Sequence, residues 1–158
     1  MMLLNVCRIL IILMAGHPYG SANAALQQNS GEEAVKTVIG QLFEGMRKGD
    51  STMVKDVFAP GAVLQTIATL PGQTPQVRTE ALQRFLEAVG RPHTDVWDEQ
   101  ITYGHIAIDG PLASVWTPYR FYLGQQFSHC GVNSFQLVLL EGKWKIVYLV
   151  DTRRKACE

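Results

Sequence analysis

The chain has 158 residues, the size of one domain. Its 14 lysines and arginines balance 14 aspartates and glutamates, so there is no basic surplus to hold a polyanion, which argues against nucleic acid as a partner. No apolar stretch approaches the ~20 residues of a membrane span, so no membrane association is expected once the first segment is removed.

That first segment reads as an export leader. Arg8 supplies the positive charge, and "ILIILMA" (Ile9–Ala15) is an apolar run of leader length. A helix-breaking "GHPYGSANA" follows, in which Ala22-Asn23-Ala24 fits the small-x-small cleavage rule. Cleavage is predicted before Ala25, which makes residues 1–24 a signal peptide and the product periplasmic or secreted. Cys7 precedes the apolar run and follows the bulky Val6, so it is not a lipoprotein site. Cys130 and Cys157 remain, an even count in a compartment that permits disulfides.

Residues 25–31, "ALQQNSG", read as a short linker. Ser30 and Glu33 make an S-x-x-E capping box for a first helix. Its apolar face is Val35, Val38, Ile39, Leu42, Phe43 and Met46. Gly49 stops it and Asp50 N-caps a second helix, which Pro60-Gly61 ends. "AVLQTIATL" (62–70) is a strand. Thr79 is expected to cap a third helix bearing Leu82, Phe85, Leu86 and Val89, terminated by Gly90 and Pro92. From residue 95 the texture is β, in four runs: "DVWDEQITYGHIAI", "LASVWTPYRFYL", "FSHCGVNSFQLVLL" and "KWKIVYLVDTR". Three helices before a four-strand meander make an α+β pattern, with a strongly curved antiparallel sheet wrapped over the helices as a cone. Such a cone has a packed narrow end and a pocket at its mouth.

Pairing the four runs through their short turns opposes Tyr103 to Thr117, Ile101 to Tyr119, Phe121 to His129, Thr117 to Asn133, Phe135 to Tyr148 and Leu137 to Ile146. The concave face then collects Trp97, Ile101, Tyr103, His105, Val115, Thr117, Tyr119, Phe121, His129, Asn133, Phe135, Leu137, Trp144, Ile146 and Tyr148. A single bulge would move part of this set to the other face. Strand alternation turns His129 inward and Cys130 outward, so the two do not form a dyad or chelate one metal. Cys130 lies near Arg153 in this pairing. A fold-back of the tail then joins Cys130 to Cys157, or the two remain unlinked.

The stretches "VWTPYRFYLGQQFSHCGVNSFQLV" and "GKWKIVYLVDTRRK" resemble the secreted subgroup of the NTF2-like superfamily that carries a lumazine-binding label. The superfamily comprises cone-shaped α+β domains related to ketosteroid isomerase and the SnoaL polyketide cyclase. The resemblance covers residues 32–155, with Trp116-Thr117-Pro118-Tyr119, Ser128-His129-Cys130-Gly131 and Asp151-Thr152-Arg153-Arg154 as its specific parts. It implies an NTF2-like domain of three N-terminal helices packed on the curved sheet. Isomerases of this fold carry an acid on the strand after the second helix, where this chain has Ala62-Val63-Leu64-Gln65-Thr66. They also carry a Tyr on the first helix, where this chain has Leu42-Phe43. Epoxide hydrolases of the fold need an Asp–Arg–Asp set, and none is expected inside this cone.

The leading expectation is a domain that binds a small apolar or aromatic ligand through Trp97, Tyr103, His105, Thr117, Tyr119, His129 and Asn133. His129, with a pKa in the useful range, is the candidate acid/base if the domain is instead a lyase, isomerase or cyclase. Asp151 with Arg153 and Arg154 reads as an anion site or as a salt-bridged strand end. A third reading is a homodimer through an outer sheet face exposing Trp116, Arg120 and Tyr122. His, Cys and carboxylates show no metal-ligand spacing, and no metal or cofactor is expected.

Overall fold

The computed structural model describes residues 19–69 and 72–157; the expected leader residues 1–18 lie outside the described residues. Helix α1 (Tyr19–Lys48) starts upstream of the expected capping box and runs through the expected linker. Ser30 is therefore interior to the helix, and Glu33 instead binds Lys36 Nζ at 2.7 Å. The helix ends as expected: Gly49 adopts φ +67°, while Gly49 N and Asp50 N bond back to the Met46 and Gly45 carbonyls. Asp50 Oδ1 accepts from Met53 N at 2.9 Å and caps α2 (Ser51–Val57). The two helices pack so closely that a Cβ on Gly45 would lie 2.7 Å from Val54 Cγ2.

Strand β1 (Phe58–Ala68) begins directly after α2, so Pro60-Gly61 forms a bulge inside the strand rather than a stop between elements. Next comes a strand absent from the sequence reading, β2 (Gln76–Glu80), exposed along its whole length. Thr79 belongs to this strand, and the N-cap of α3 (Leu82–Gly90) is Ala81, which makes no side-chain cap. The expected run 95–108 is two strands, β3 (Trp97–Ile101) and β4 (His105–Asp109). The long strands β5 (Leu112–Leu123), β6 (Gln126–Leu140) and β7 (Lys143–Arg153) complete the meander. The sheet order is β2-β1-β7-β6-β5-β3, with β4 also on β5. It is mixed rather than purely antiparallel, because β1 runs parallel to β7.

Two bulges decide which side chains face the helices. Thr102, Tyr103 and Gly104 oppose only Pro118 and Thr117, since Ile101 pairs Tyr119 while His105 pairs Trp116. Pro118 has no N–H to offer the ladder, which places the irregularity there. The expected Tyr103–Thr117 pairing is thus not formed, and Tyr103 and His105 are exposed, while Ile106 and Ile108 pack on the core. On β7, Leu137 pairs Ile146 as expected, but Gln136 pairs Tyr148 and Phe135 pairs Leu149, leaving Val147 as the extra residue. Tyr148 therefore leaves the expected concave set, and Leu149, Asp151 and Arg153 take the inward positions. A third irregularity at Ser128 shortens the β5–β6 loop to Gly124-Gln125, yet keeps Phe121 opposite His129.

The core lies between the inner face of α1 and the sheet. Val35, Ile39, Val54, Val115, Phe135, Leu137 and Ile146 are essentially inaccessible. Phe43 meets Phe135 edge-on, with ring centroids 6.3 Å apart. Each such large apolar side chain stabilises the fold by about 2 kcal/mol through burial.

Candidate functional site

Reading across the sheet at one level, Glu80, Leu64, Leu149, Phe135 and Val115 are successive cross-strand partners. One step toward the mouth, the corresponding row is Arg78, Thr66, Asp151, Asn133 and Thr117. A row that is apolar except for Glu80 at its edge thus borders a polar one, and a cavity of about 90 Å³ opens beside them, lined also from α1 and α3. Leu42, Phe43, Met46, Leu64, Phe85 and Leu149 form its apolar side; Glu99, Asn133, Asp151 and Arg153 form its polar wall.

The polar wall is cross-linked. Asn133 Nδ2 donates to Glu99 Oε1 at 2.7 Å, and Arg153 Nε donates to Asp151 Oδ2 at 2.8 Å. The Tyr119 hydroxyl lies 3.2 Å from Asp151 Oδ2 and 2.9 Å from the Thr152 carbonyl, donating toward both. Burial pushes the Glu99 carboxyl up to about 7; Asp151 reinforces the shift, while the Asn133 bond and Arg153 oppose it. Burial also works against the charge of Arg153, but Asp151, Tyr119 and Glu99 outweigh it and hold the guanidinium charged. Burial and the neighbouring Asp151 raise the Tyr119 phenol, which keeps it a neutral donor. Two acids and an arginine, Glu99, Asp151 and Arg153, therefore share the polar wall, with a glutamate where an Asp–Arg–Asp set would need its second aspartate.

The residues nominated from sequence distribute unevenly around this cavity. Asn133 lines it, and Tyr119 supports it through Asp151. Thr117 is fully buried beside Asn133, but its Oγ1 has no hydrogen-bond partner among the described residues. Trp97 stacks on His93 at 4.9 Å and meets Phe121 edge-on, away from the cavity lining. The Tyr103 hydroxyl donates to the Lys36 carbonyl, and His105 sits exposed on β4. His129 packs against Phe121 and Tyr119, at 5.0 and 5.7 Å between ring centroids. Its Nδ1 is 3.1 Å from Ser128 Oγ. Burial, with Arg153 nearby, lowers its pKa, and it does not line the cavity. Glu99 was missed although alternation on β3 puts it on the same face as Trp97 and Ile101. Asp151 and Arg153, named from sequence as an anion site or a salt-bridged strand end, do form an ion pair, but their inward direction had no such signal, because the β7 bulge alone turns them into the cone.

The "SHCG" stretch holds the rim together. A Cβ on Gly131 would lie 1.8 Å from the Thr152 carbonyl oxygen and 2.9 Å from Tyr119 Cε1, so only glycine lets the Tyr119 ring cross to Asp151. Cys130, on the opposite face, is bonded to Cys157, with Cα atoms 6.1 Å apart. On the outer face Trp116 is 51% exposed, Arg120 is exposed and Tyr122 is half-buried. Among the described residues no His, Cys, Asp and Glu group gathers to hold a metal ion, and no helix is long and apolar enough to cross a membrane.

Comparison with known proteins supports the fold. An NTF2-like protein of unknown function from Shewanella baltica superposes with a TM-score of 0.62 at 18% identity, over 80% of this chain and 96% of its own. A protein of unknown function from Mycobacterium tuberculosis gives 0.69 at 13% identity, over 89% and 79%. An NTF2-like protein with a cystatin-like fold from Novosphingobium aromaticivorans gives 0.68 at 7% identity, over 86% and 90%. At these identities the likeness establishes fold alone. A comparison with curated proteins finds no match. Residues 30–150 match the profile of the family described as "Putative lumazine-binding", and the chain belongs to this family.

Proposed function

We propose that this protein is an exported domain that takes a small ligand into the mouth of its cone, with an apolar part of the ligand against Leu64, Phe85 and Leu149. The observation that carries the reading is the cavity itself, apolar on one side and bounded on the other by Glu99, Asn133, Asp151 and Arg153. Convergent polar groups, one with a strongly shifted pKa, beside an apolar wall are the usual composition of a small-molecule site. The family description points the same way. Export is supported by the leader-like "ILIILMA" run and by the Cys130–Cys157 bond, a linkage that persists in oxidising compartments.

The test is a thermal-shift screen of small, mainly apolar compounds against the mature protein. A stabilising compound should lose its effect in Leu149→Phe, which fills the cavity, and keep it in His129→Ala. The reverse pattern would move the site to the histidine, and a screen without any stabilising compound would overturn the reading. A mature chain beginning at Ala25 in an extracytoplasmic fraction is expected; an uncleaved cytoplasmic chain refutes export. A second reading, proton-transfer catalysis, is favoured by Glu99, whose pKa near 7 suits a general acid/base better than the depressed His129. It requires turnover that disappears in Glu99→Gln while the fold is retained.

A further inference from the structure

The cavity of about 90 Å³ offers the space of about three liquid waters, against the ~300–1,000 Å³ usual for ligand pockets. A ligand of ordinary size must therefore rest mainly outside it. What adjoins it is a hollow of about 650 Å³ whose lining includes Arg78, Arg84 and Arg153 with Thr66, Glu80 and Ala81. Thr66, Glu80 and Arg153 line both spaces, so the small cavity and the larger hollow share a wall.

The charge in this hollow is uneven in a chain that is neutral as a whole. Of its three guanidinium groups, Arg153 is held by Asp151 and by Thr66 Oγ1 at 3.2 Å. Arg78 and Arg84 have no ion-pair or hydrogen-bond partner among the described residues. An arginine on an edge strand often serves only to block strand pairing. The position of Arg78 goes further, because it pairs with Thr66, whose other neighbour is Asp151 of the polar wall. Arg84 comes to the same hollow from α3, next to Phe85 of the cavity. Guanidinium groups converging from a strand, a helix and a strand end suit a planar or tetrahedral anion, which each can bind through two N–H groups.

We propose that this hollow is an anion-binding vestibule, so that the ligand is an amphiphilic anion whose carboxylate or phosphate lies among Arg78, Arg84 and Arg153 while a short apolar end enters past Thr66. The inference rests on the ligand-binding reading of the cavity and specifies the ligand's charge. Leu64, Phe85 and Leu149 receive the apolar end; Glu80 in the lining of the hollow and Asp151, paired with Arg153, limit how much negative charge is accepted.

The test is an NMR titration of the mature protein with two probes of equal chain length, hexanoate and hexan-1-ol. Hexanoate should bind about ten-fold tighter, a difference of about 1.4 kcal/mol, and the advantage should shrink at high salt as the charges are screened. The double variant Arg78→Ala/Arg84→Ala, altered only at exposed positions, should bring the two probes within about two-fold. Equal binding of both probes to the wild type, or an undiminished preference in the double variant, overturns the vestibule and leaves the cavity reading standing. Binding of neither probe overturns both.

Discussion

Glu99→Gln tests whether the wall of the cavity carries a buried acid. The Glu99 carboxyl is raised from 4.5 to about 7, chiefly by burial. The folded protein therefore keeps a proton that the unfolded chain releases between these values, and stability falls as pH rises through that window. The shift corresponds to about 3 kcal/mol, lost in full above about pH 8. Glutamine has nearly the same shape, does not titrate, and still offers Oε1 to the Asn133 amide, which donates at 2.7 Å. Wild type and variant should thus be about equally stable near pH 4.5, and the variant should gain steadily to an advantage of about 3 kcal/mol above pH 7. Urea unfolding of both proteins across this range measures the difference, with other titrating groups cancelling. A difference independent of pH would refute the reasoning, and so would a wild type that is the more stable at pH 8.

Two further substitutions probe the surrounding packing. Gly131→Ala places a methyl 1.8 Å from the Thr152 carbonyl oxygen, a backbone atom that cannot swing aside; it should cost about 3 kcal/mol in urea unfolding and displace the Tyr119 ring, visible in its NMR shifts. Thr117→Val replaces a fully buried hydroxyl that has no partner among the described residues. It should raise stability by about 1 kcal/mol, and a loss of that size would mean the hydroxyl is satisfied after all.

The difference between reading and structure lies in register. Local chemistry was legible: Gly49 and Asp50 end one helix and begin the next as their types predict. Pairing β5 with β6 through their turn correctly opposes Thr117 to Asn133 and Phe121 to His129, because the irregularity at Ser128 offsets a loop one residue shorter than expected. β7 resisted the same treatment because Val147, Tyr148, Leu149 and Val150 are all apolar, so nothing in the order of residues says which two face inward. β2, "QVRTE", buries none of its side chains and so leaves no alternation to detect.

By itself the order of residues determined the class of fold, the succession of helices and meander strands, and the separation of His129 from Cys130 onto opposite faces. Each of these follows from contacts or alternation over a few residues. Only the tertiary structure decided the site. One extra residue opposite Pro118 turned His105 outward and left Tyr103 half-exposed against Lys36 of α1, and one extra residue on β7 brought Asp151 and Arg153 in beside Glu99. A bulge answers to the strand across from it and to the helices it must clear, so its position is a property of the assembled sheet rather than of the strand that contains it.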